Sequence, residues 1–272
     1  MATQEQWDRS KHFTTLANGD ALAFVAHGDR QRRPLILIHG LSDSSRSFSL
    51  ISPFLDGFYR VIPDLPSHGL SEAGTRPHTI EGYAASIVEF IRAQHLQRPT
   101  LVGHSLGAMV ACHAAAELGE EISGVICMNG AAQLHWGAEN SLAAAIMAMP
   151  EPIDPISDFF DVWHATHVPI GDQFLQFVRT EAARVPKSTW VSLINSISRV
   201  NISEVAERIS VPALVLYGLH DHLFDFEQQN ILAKLLRTEK PMTVLDCGHN
   251  PHWDAPEQAA KIVSAFSAGR ES

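Results

Sequence analysis

Six short, predominantly apolar segments constrain the fold of this chain more than any other feature. Segments that are apolar on both faces are typical of parallel strands covered by helices on both sides of a sheet. Helical patterns separate most of them, so we expect right-handed strand–helix–strand units and a doubly wound, mostly parallel α/β sheet. The apolar segments are LILI at 35–38, YRVI at 59–62, TLV at 100–102, GVICM at 124–128, ALVLY at 213–217 and MTVL at 242–245, and the helical patterns lie at 79–95, 105–118, 226–237 and 256–267.

The N-terminal part of the chain shows a different pattern. Within residues 12–27, the segments FTTL and ALAFVA flank the turn sequence Asn18-Gly19-Asp20. A glycine-containing turn between two such segments is the signature of a β-hairpin. The two hairpin strands and the six apolar segments together predict an eight-stranded sheet.

About eighty residues without a strand-like segment separate Met128 from Pro212. A structureless loop of that length is rare within a compact domain, so we interpret 131–203 as a helical insertion into a core formed by 1–130 and 204–272. The aromatic side chains of the insertion either form its own core or line a pocket beneath it. The candidates for such a pocket are Trp136, Phe159 and Trp163.

Charge and cysteine usage exclude several classes of protein. The net charge of −10 argues against binding to nucleic acid or to an anionic membrane. Cys112, Cys127 and Cys247 are far apart and form no CxxC pair, which supports neither a disulfide framework nor a zinc ribbon. No run approaches roughly 18 apolar residues, and the N-terminus is polar. We therefore expect a cytoplasmic protein that acts on a small molecule, with its oligomeric state left open.

The 15 histidines are a high count, and histidine serves as metal ligand, general base or pH switch. His164 and His167 are spaced for one helix face near Asp158 and Asp161, but this set is incomplete for a metal and is better interpreted as a solvated face. Neither GxGxxG nor GxxxxGK[ST] occurs in the sequence, so no nucleotide cofactor is implied. We expect neither a cofactor nor a metal.

The segment Gly103-His104-Ser105-Leu106-Gly107 carries the sharpest chemical signal. It follows an apolar strand and begins an alanine-rich helix. A G-x-S-x-G sequence in that context is a nucleophile elbow. The sharp turn forces a strained backbone on Ser105, and side chains at the two glycines would collide with neighbouring backbone. Ser105 is therefore the predicted nucleophile.

A serine hydroxyl needs a base to attack, and the base needs an orienting carboxylate. Where a nucleophile elbow presents the serine, the acid and then the histidine follow it along the chain. Asp221 comes after the strand ALVLY and is the first choice, although Asp225 is a rival that fits better as a helix N-cap. His249 follows the last strand and is the predicted base. His252 competes with it but is better explained as structural.

An oxyanion needs two backbone donors. We predict that the N–H groups of Leu41 and Leu106 supply them, and that Gly40 lets the backbone approach the substrate. The wider substrate pocket is expected to involve His39, Gly40, His104, Trp136, Phe159, Trp163 and Leu223.

Four motifs make the chain resemble the α/β-hydrolase superfamily over essentially its whole length. They are LIHG at 37–40, DLPSHGLS at 64–71, GHSLG at 103–107 and GHNPHWDAPE at 248–257. The resemblance implies Ser105, Asp221 and His249 as the catalytic triad and a cap formed by 131–203. Ser67 and Asp254 depart from the usual family pattern, both away from the chemistry.

The branches of this family differ at the nucleophile. Haloalkane dehalogenases and epoxide hydrolases use aspartate there, so Ser105 argues against both. Hydrolases that cleave carbon–carbon bonds in ring-cleavage products usually carry Asn soon after the HG motif and Trp after the histidine, whereas this chain has Ser42-Asp43-Ser44 and Asn250. Cofactor-free perhydrolases share the triad. A serine hydrolase of small, apolar esters or lactones is the favoured prediction, and a hydrolase-like ligand sensor is the competing prediction from a different class.

Overall fold

A computed structural model describes residues 3–134, 140–239 and 242–269. A single sheet holds eight strands in the order β1-β2-β4-β3-β5-β6-β7-β8. The strands are β1 (His12–Thr15), β2 (Ala21–His27), β3 (Pro34–Ile38), β4 (Tyr59–Pro63), β5 (Thr100–His104), β6 (Gly124–Met128), β7 (Ala213–Gly218) and β8 (Thr243–Leu245). Each apolar segment of the sequence forms one strand.

The strand directions confirm the predicted α/β fold. β1 and β2 form an antiparallel hairpin with Phe13 opposite Ala23, and its turn contains Gly19 at φ 90°. β2 is also antiparallel to β4, whereas all pairs from β4 across to β8 are parallel. The carboxyl ends of β3 to β8 therefore meet at one edge of the sheet, where ligands bind in such folds.

Helices cover both faces of the sheet. They are α1 (Ile80–Ala93), α2 (Leu106–Leu118), α3 (Ser141–Ala148), α4 (Phe159–Trp163), α5 (Asp172–Arg184), α6 (Lys187–Ile197), α7 (Ser203–Ala206), α8 (Phe226–Leu235), α9 (Pro251–Asp254) and α10 (Pro256–Ala268). Alternate residues of a strand face opposite sides. Ile36 thus packs in the larger core with α1 and α2, and Leu35 in the smaller core with α10. No helix in the described ranges is both long and apolar enough to span a membrane.

The chain between β6 and β7 carries α3 to α7. Two of its aromatic side chains, Phe160 and Trp190, are fully buried and pack in the larger core. α5 is fixed to the rest of the molecule through buried Glu181, which accepts hydrogen bonds from Ser44 Oγ at 2.6 Å and Arg46 Nε at 2.6 Å. These contacts join α5 to the segment that follows β3.

Candidate active site

The turn between β5 and α2 presents Ser105. Its backbone has φ 53° and ψ −119°, a strained conformation that lifts the side chain out of the strand. A Cβ on Gly103 would overlap the carbonyl oxygen of Gly107, and a Cβ on Gly107 would overlap that of Ile38. Both glycines are therefore required by close backbone approach, as the sequence predicts.

Asp221 and His249 form a buried pair. His249 Nδ1 lies 2.9 Å from each carboxylate oxygen of Asp221, whose side chain is fully buried. The Oδ1 atom also accepts hydrogen bonds from the N–H of Leu223 at 2.8 Å and of Phe224 at 3.2 Å. The carboxylate is thus fixed by backbone and accepts the Nδ1 proton, which leaves Nε2 of a neutral ring free to act as a base.

Asn129, at the end of β6, braces the two loops that carry this pair. Its side-chain amide donates to the carbonyl oxygens of Gly248 at 3.1 Å and His249 at 2.8 Å, and it accepts from the N–H of Gly218 at 2.8 Å. Sequence reasoning missed this residue. Its position directly after an apolar strand is the only signal, because its partners lie 89 to 120 residues away along the chain.

The backbone N–H groups of Leu41 and Leu106 are the predicted oxyanion donors. Leu106 is the first residue of α2, so its N–H has no partner within the helix. Within the described ranges, neither this group nor the N–H of Leu41 donates a hydrogen bond to another protein group. Ser42, the residue after Leu41, has φ 71°, and its N–H donates to His68 Nε2 at 3.2 Å, which fixes the loop.

Ser105 and His249 line one small cavity of about 30 Å³. That volume holds only about one or two water molecules. Trp163 of α4 lines it and donates from Nε1 to Ser42 Oγ at 2.8 Å. The lining consists of Gly40, Leu41, Asp43, His104, Ser105, Trp163, His164, Leu223, His249, Asn250 and Trp253.

The predicted pocket residues divide into three groups. Gly40, His104, Trp163 and Leu223 line this cavity. His39 and Phe159 are not among its lining residues, although Phe159 stacks on Trp163 with ring centroids 5.7 Å apart. Trp136 lies outside the described residues.

Four motif histidines are structural and neutral. Burial lowers the pKa values of His39 and His68 to about 3 and those of His104 and His252 well below the usual value. A neutral ring can accept, and His39 Nε2 accepts from the N–H of Leu65 at 2.9 Å. The rival base His252 contacts Ser47 Oγ at 2.8 Å, beside the cavity lining.

Asp225, His164 and His167 each lie in a different setting. Asp225 caps α8 by accepting from the N–H of Gln228 at 2.9 Å, as the sequence predicts. The interpretation of His164 and His167 as one solvated face is wrong for His164, which is buried and stacks on Phe160 at 5.4 Å. α4 ends at Trp163, so the two histidines do not share a helix face.

Asp43 is a second carboxyl group at the cavity that sequence reasoning did not select. It is buried and accepts from Ser47 Oγ at 3.0 Å. Burial raises its pKa to about 7, and the neighbouring Glu181 carboxylate raises it further while His249 opposes the shift. The only sequence signal for Asp43 is its position in the loop that follows the LIHG motif.

The raised pKa of Asp43 predicts a pH-dependent stability difference. Asp43 binds its proton more tightly in the folded protein than in the unfolded chain, where its pKa is near 3.8. The free energy of unfolding of the wild type therefore falls as pH rises from about 3.8 to about 7. Asparagine does not titrate, so the stability of Asp43→Asn lacks this pH dependence. Between about pH 5 and pH 8.5, we expect the free energy of unfolding of the variant to rise relative to wild type by about 2–4 kcal/mol. Urea denaturation at both pH values measures this, and parallel pH dependences for the two proteins would contradict it.

Comparisons with known proteins agree with this architecture. The model of the alpha/beta hydrolase family matches residues 35–262. Lipase 3 of Moraxella sp. (strain TA144) is 26% identical over 97% of this chain and 88% of its own length. An esterase from Exiguobacterium antarcticum has a TM-score of 0.82 at 17% identity, with 94% of this chain and 98% of that chain covered. The enol-lactonase from Burkholderia xenovorans LB400 has a TM-score of 0.78 at 20% identity, with 94% and 100% covered.

Proposed function

Because the chain belongs to the alpha/beta hydrolase family, we propose that it is a serine hydrolase of small, largely apolar carboxylic esters or lactones. The observation that carries the proposal is His249, which is paired with buried Asp221 and lines one cavity with a serine held on a strained elbow. The relatives named as a lipase, an esterase and an enol-lactonase support the same reaction class.

Acylation begins when Ser105 Oγ attacks the carbonyl carbon of the ester. His249 takes the hydroxyl proton as the new C–O bond forms, and the Asp221 carboxylate stabilises the resulting imidazolium. The carbonyl oxygen becomes an oxyanion that accepts from the N–H groups of Leu41 and Leu106. The tetrahedral intermediate then collapses, and His249 returns the proton to the leaving alcohol. For a lactone the alcohol stays attached to the acyl group.

Deacylation repeats these steps with water as nucleophile. His249 takes a proton from the water molecule as its oxygen attacks the acyl carbon. The intermediate collapses, Ser105 recovers its proton from His249, and the carboxylic acid leaves. The net reaction adds one water molecule across the ester bond, so no cofactor is required.

The cavity lining supports an apolar substrate. Leu41, Trp163, Leu223 and Trp253 supply most of the large side chains around the nucleophile. In this proposal residues 131–203 act as a cap over a core of 1–130 and 204–272, and the cap selects the acyl and alcohol groups. Carbon–carbon bond hydrolysis and perhydrolysis use the same triad, and a panel of esters, lactones and ring-cleavage dienoates distinguishes them from ester hydrolysis.

A fluorophosphonate probe tests the proposal directly. The probe forms a phosphonyl ester on an activated serine, so intact-mass analysis of the folded protein should show one adduct, which peptide mapping places on Ser105. Ser105→Ala should take up none under the same conditions. Failure of the folded wild-type protein to react would overturn the hydrolase proposal and favour a ligand sensor that retains the fold.

A further inference from the structure

Three side chains that bind metals in other proteins meet outside the catalytic cavity. His220 Nε2 lies 2.8 Å from Asp246 Oδ1, and His167 Nε2 lies 3.9 Å from the same oxygen. The two imidazole rings stack, with centroids 4.1 Å apart and planes 10° from parallel. One potential ligand atom from each residue lies within 4.8 Å of the others. The spacing of these residues in the sequence gave no hint of the cluster.

The backbone holds the three residues at this place. β7 and β8 are parallel with Gly218 opposite Leu245, so the residues just after them are neighbours. The N–H of His220 donates to the carbonyl oxygen of Cys247 at 3.0 Å. On the other side, the N–H of His167 donates to Asp254 Oδ1 at 3.2 Å. The cluster therefore joins the loop between α4 and α5 to the ends of two core strands.

We propose that His167, His220 and Asp246 bind one Zn²⁺ ion. Two imidazole nitrogens and a carboxylate oxygen are preferred zinc ligands, and water completes a tetrahedral site. Bond lengths of about 2.0–2.1 Å place such ligands about 3.3 Å apart, between the two distances found here.

Coordination requires a small rearrangement of the side chains. The lone pair of a ring nitrogen lies in the ring plane, so two nearly parallel rings cannot both point at one ion, and the stack must open. The side chains of His167, His220 and Asp246 are 36%, 45% and 82% exposed, which leaves them room to turn. Calcium and magnesium prefer sites made of oxygen ligands and would bind poorly to this set.

A bound ion would restrain the segment that follows α4. His167 lies in this segment, and α4 carries Trp163, which lines the cavity. His220 is next to Asp221, and Asp246 is three residues from His249. Zn²⁺ would therefore tie the loop after α4 to the loops that carry Asp221 and His249. This restraint should slow ester turnover. This consequence rests on the proposed function, whereas the binding site does not.

Isothermal titration calorimetry with ZnCl₂ tests the site without reference to activity. We expect one ion per wild-type chain, and a loss of affinity of at least about 10–100-fold for His167→Ala and for Asp246→Asn, since removal of an outer-shell group alone costs that much. The control is His12→Ala, because His12 is exposed on β1 at the opposite edge of the sheet. Equal Zn²⁺ affinity in His167→Ala and wild type would overturn the proposal.

Ester hydrolysis with and without ZnCl₂ tests the consequence. Zn²⁺ should lower kcat of the wild type and of His12→Ala and leave that of His167→Ala unchanged. Inhibition that persists in His167→Ala would show that the ion acts elsewhere and would overturn the regulatory role. An absence of esterase activity in metal-free wild type would count against the proposed function, and the calorimetric result would still decide the site.

Discussion

Replacing Ser105 with alanine should lower kcat against p-nitrophenyl esters by about 10³-fold or more. The variant loses the only oxygen that can form the acyl-enzyme, and water must attack the bound ester directly. Some catalysis should remain, because the N–H groups of Leu41 and Leu106 still donate to the developing oxyanion. Alanine keeps a Cβ and tolerates the φ of 53° no worse than serine, so the elbow should fold unchanged.

The matched control is Ser123→Ala, which removes a hydroxyl just before β6. Ser123 Oγ contacts Thr100 Oγ1 at 2.9 Å, far from the cavity lining. Its activity should stay within about twofold of wild type, as expected for a substitution away from the reacting atoms. The experiment compares initial rates at equal enzyme concentration. Far-UV circular dichroism checks that each variant is folded. Wild-type activity in Ser105→Ala would end the proposed mechanism.

The sheet could be predicted from the sequence because its information is local. A parallel strand buried on both faces must be apolar along its length, and Leu35 to Ile38 or Val125 to Met128 meet that requirement without reference to distant residues. The elbow is equally local, because Gly103 and Gly107 avoid clashes that arise within one turn and one neighbouring strand. Both features were therefore visible in short segments.

The residues that sequence reasoning missed depend on contacts between distant segments. Asn129 holds the site together because its side chain bonds to backbone groups that follow or end two other strands. Asp43 lines the cavity because of the path of the loop after β3. Orientation within the insertion was equally hidden. α4 is only five residues long, too short for periodicity to show that Trp163 and His164 face the cavity while His167 faces solvent.

The small cavity affects how kinetic results should be interpreted. Trp163 lines this cavity and also donates to Ser42 Oγ, next to the proposed oxyanion donor Leu41. Variants of Trp163 are therefore expected to change substrate entry and chemistry together, and they cannot isolate the triad. Substitutions at Asp221 avoid this problem, since Asp221 contacts His249 Nδ1 and is not among the residues that line the cavity.

Asp221→Asn should lower kcat by about 10⁴-fold at neutral pH, and the reason lies in the hydrogen bonds around Asp221. Oδ1 accepts from the N–H groups of Leu223 and Phe224, so the asparagine oxygen must occupy that position. The NH₂ group then takes the place of Oδ2, 2.9 Å from His249 Nδ1, and donates to it. The retained oxygen also lies 2.9 Å from Nδ1, but the NH₂ donor and the loss of the carboxylate charge favour the ring tautomer with its proton on Nε2, which cannot accept the proton of Ser105.

Asp225→Asn provides the matched control, since it makes the same chemical change four residues away. Asparagine is as good an N-cap as aspartate, and the oxygen that accepts from the N–H of Gln228 is retained, so activity should stay within about twofold of wild type. Steady-state kinetics on both variants, with fluorophosphonate labelling rates as a second readout of Ser105 reactivity, measure the difference. If Asp221→Asn kept a tenth or more of wild-type kcat, or if Asp225→Asn caused the larger loss, Asp221 would not be the residue that orients His249. A loss of kcat in Asp221→Asn alone, with folding intact, would indicate that His249 accepts the Ser105 proton only as the tautomer protonated on Nδ1. The Asp221 carboxylate, fixed by the N–H groups of Leu223 and Phe224, selects that tautomer.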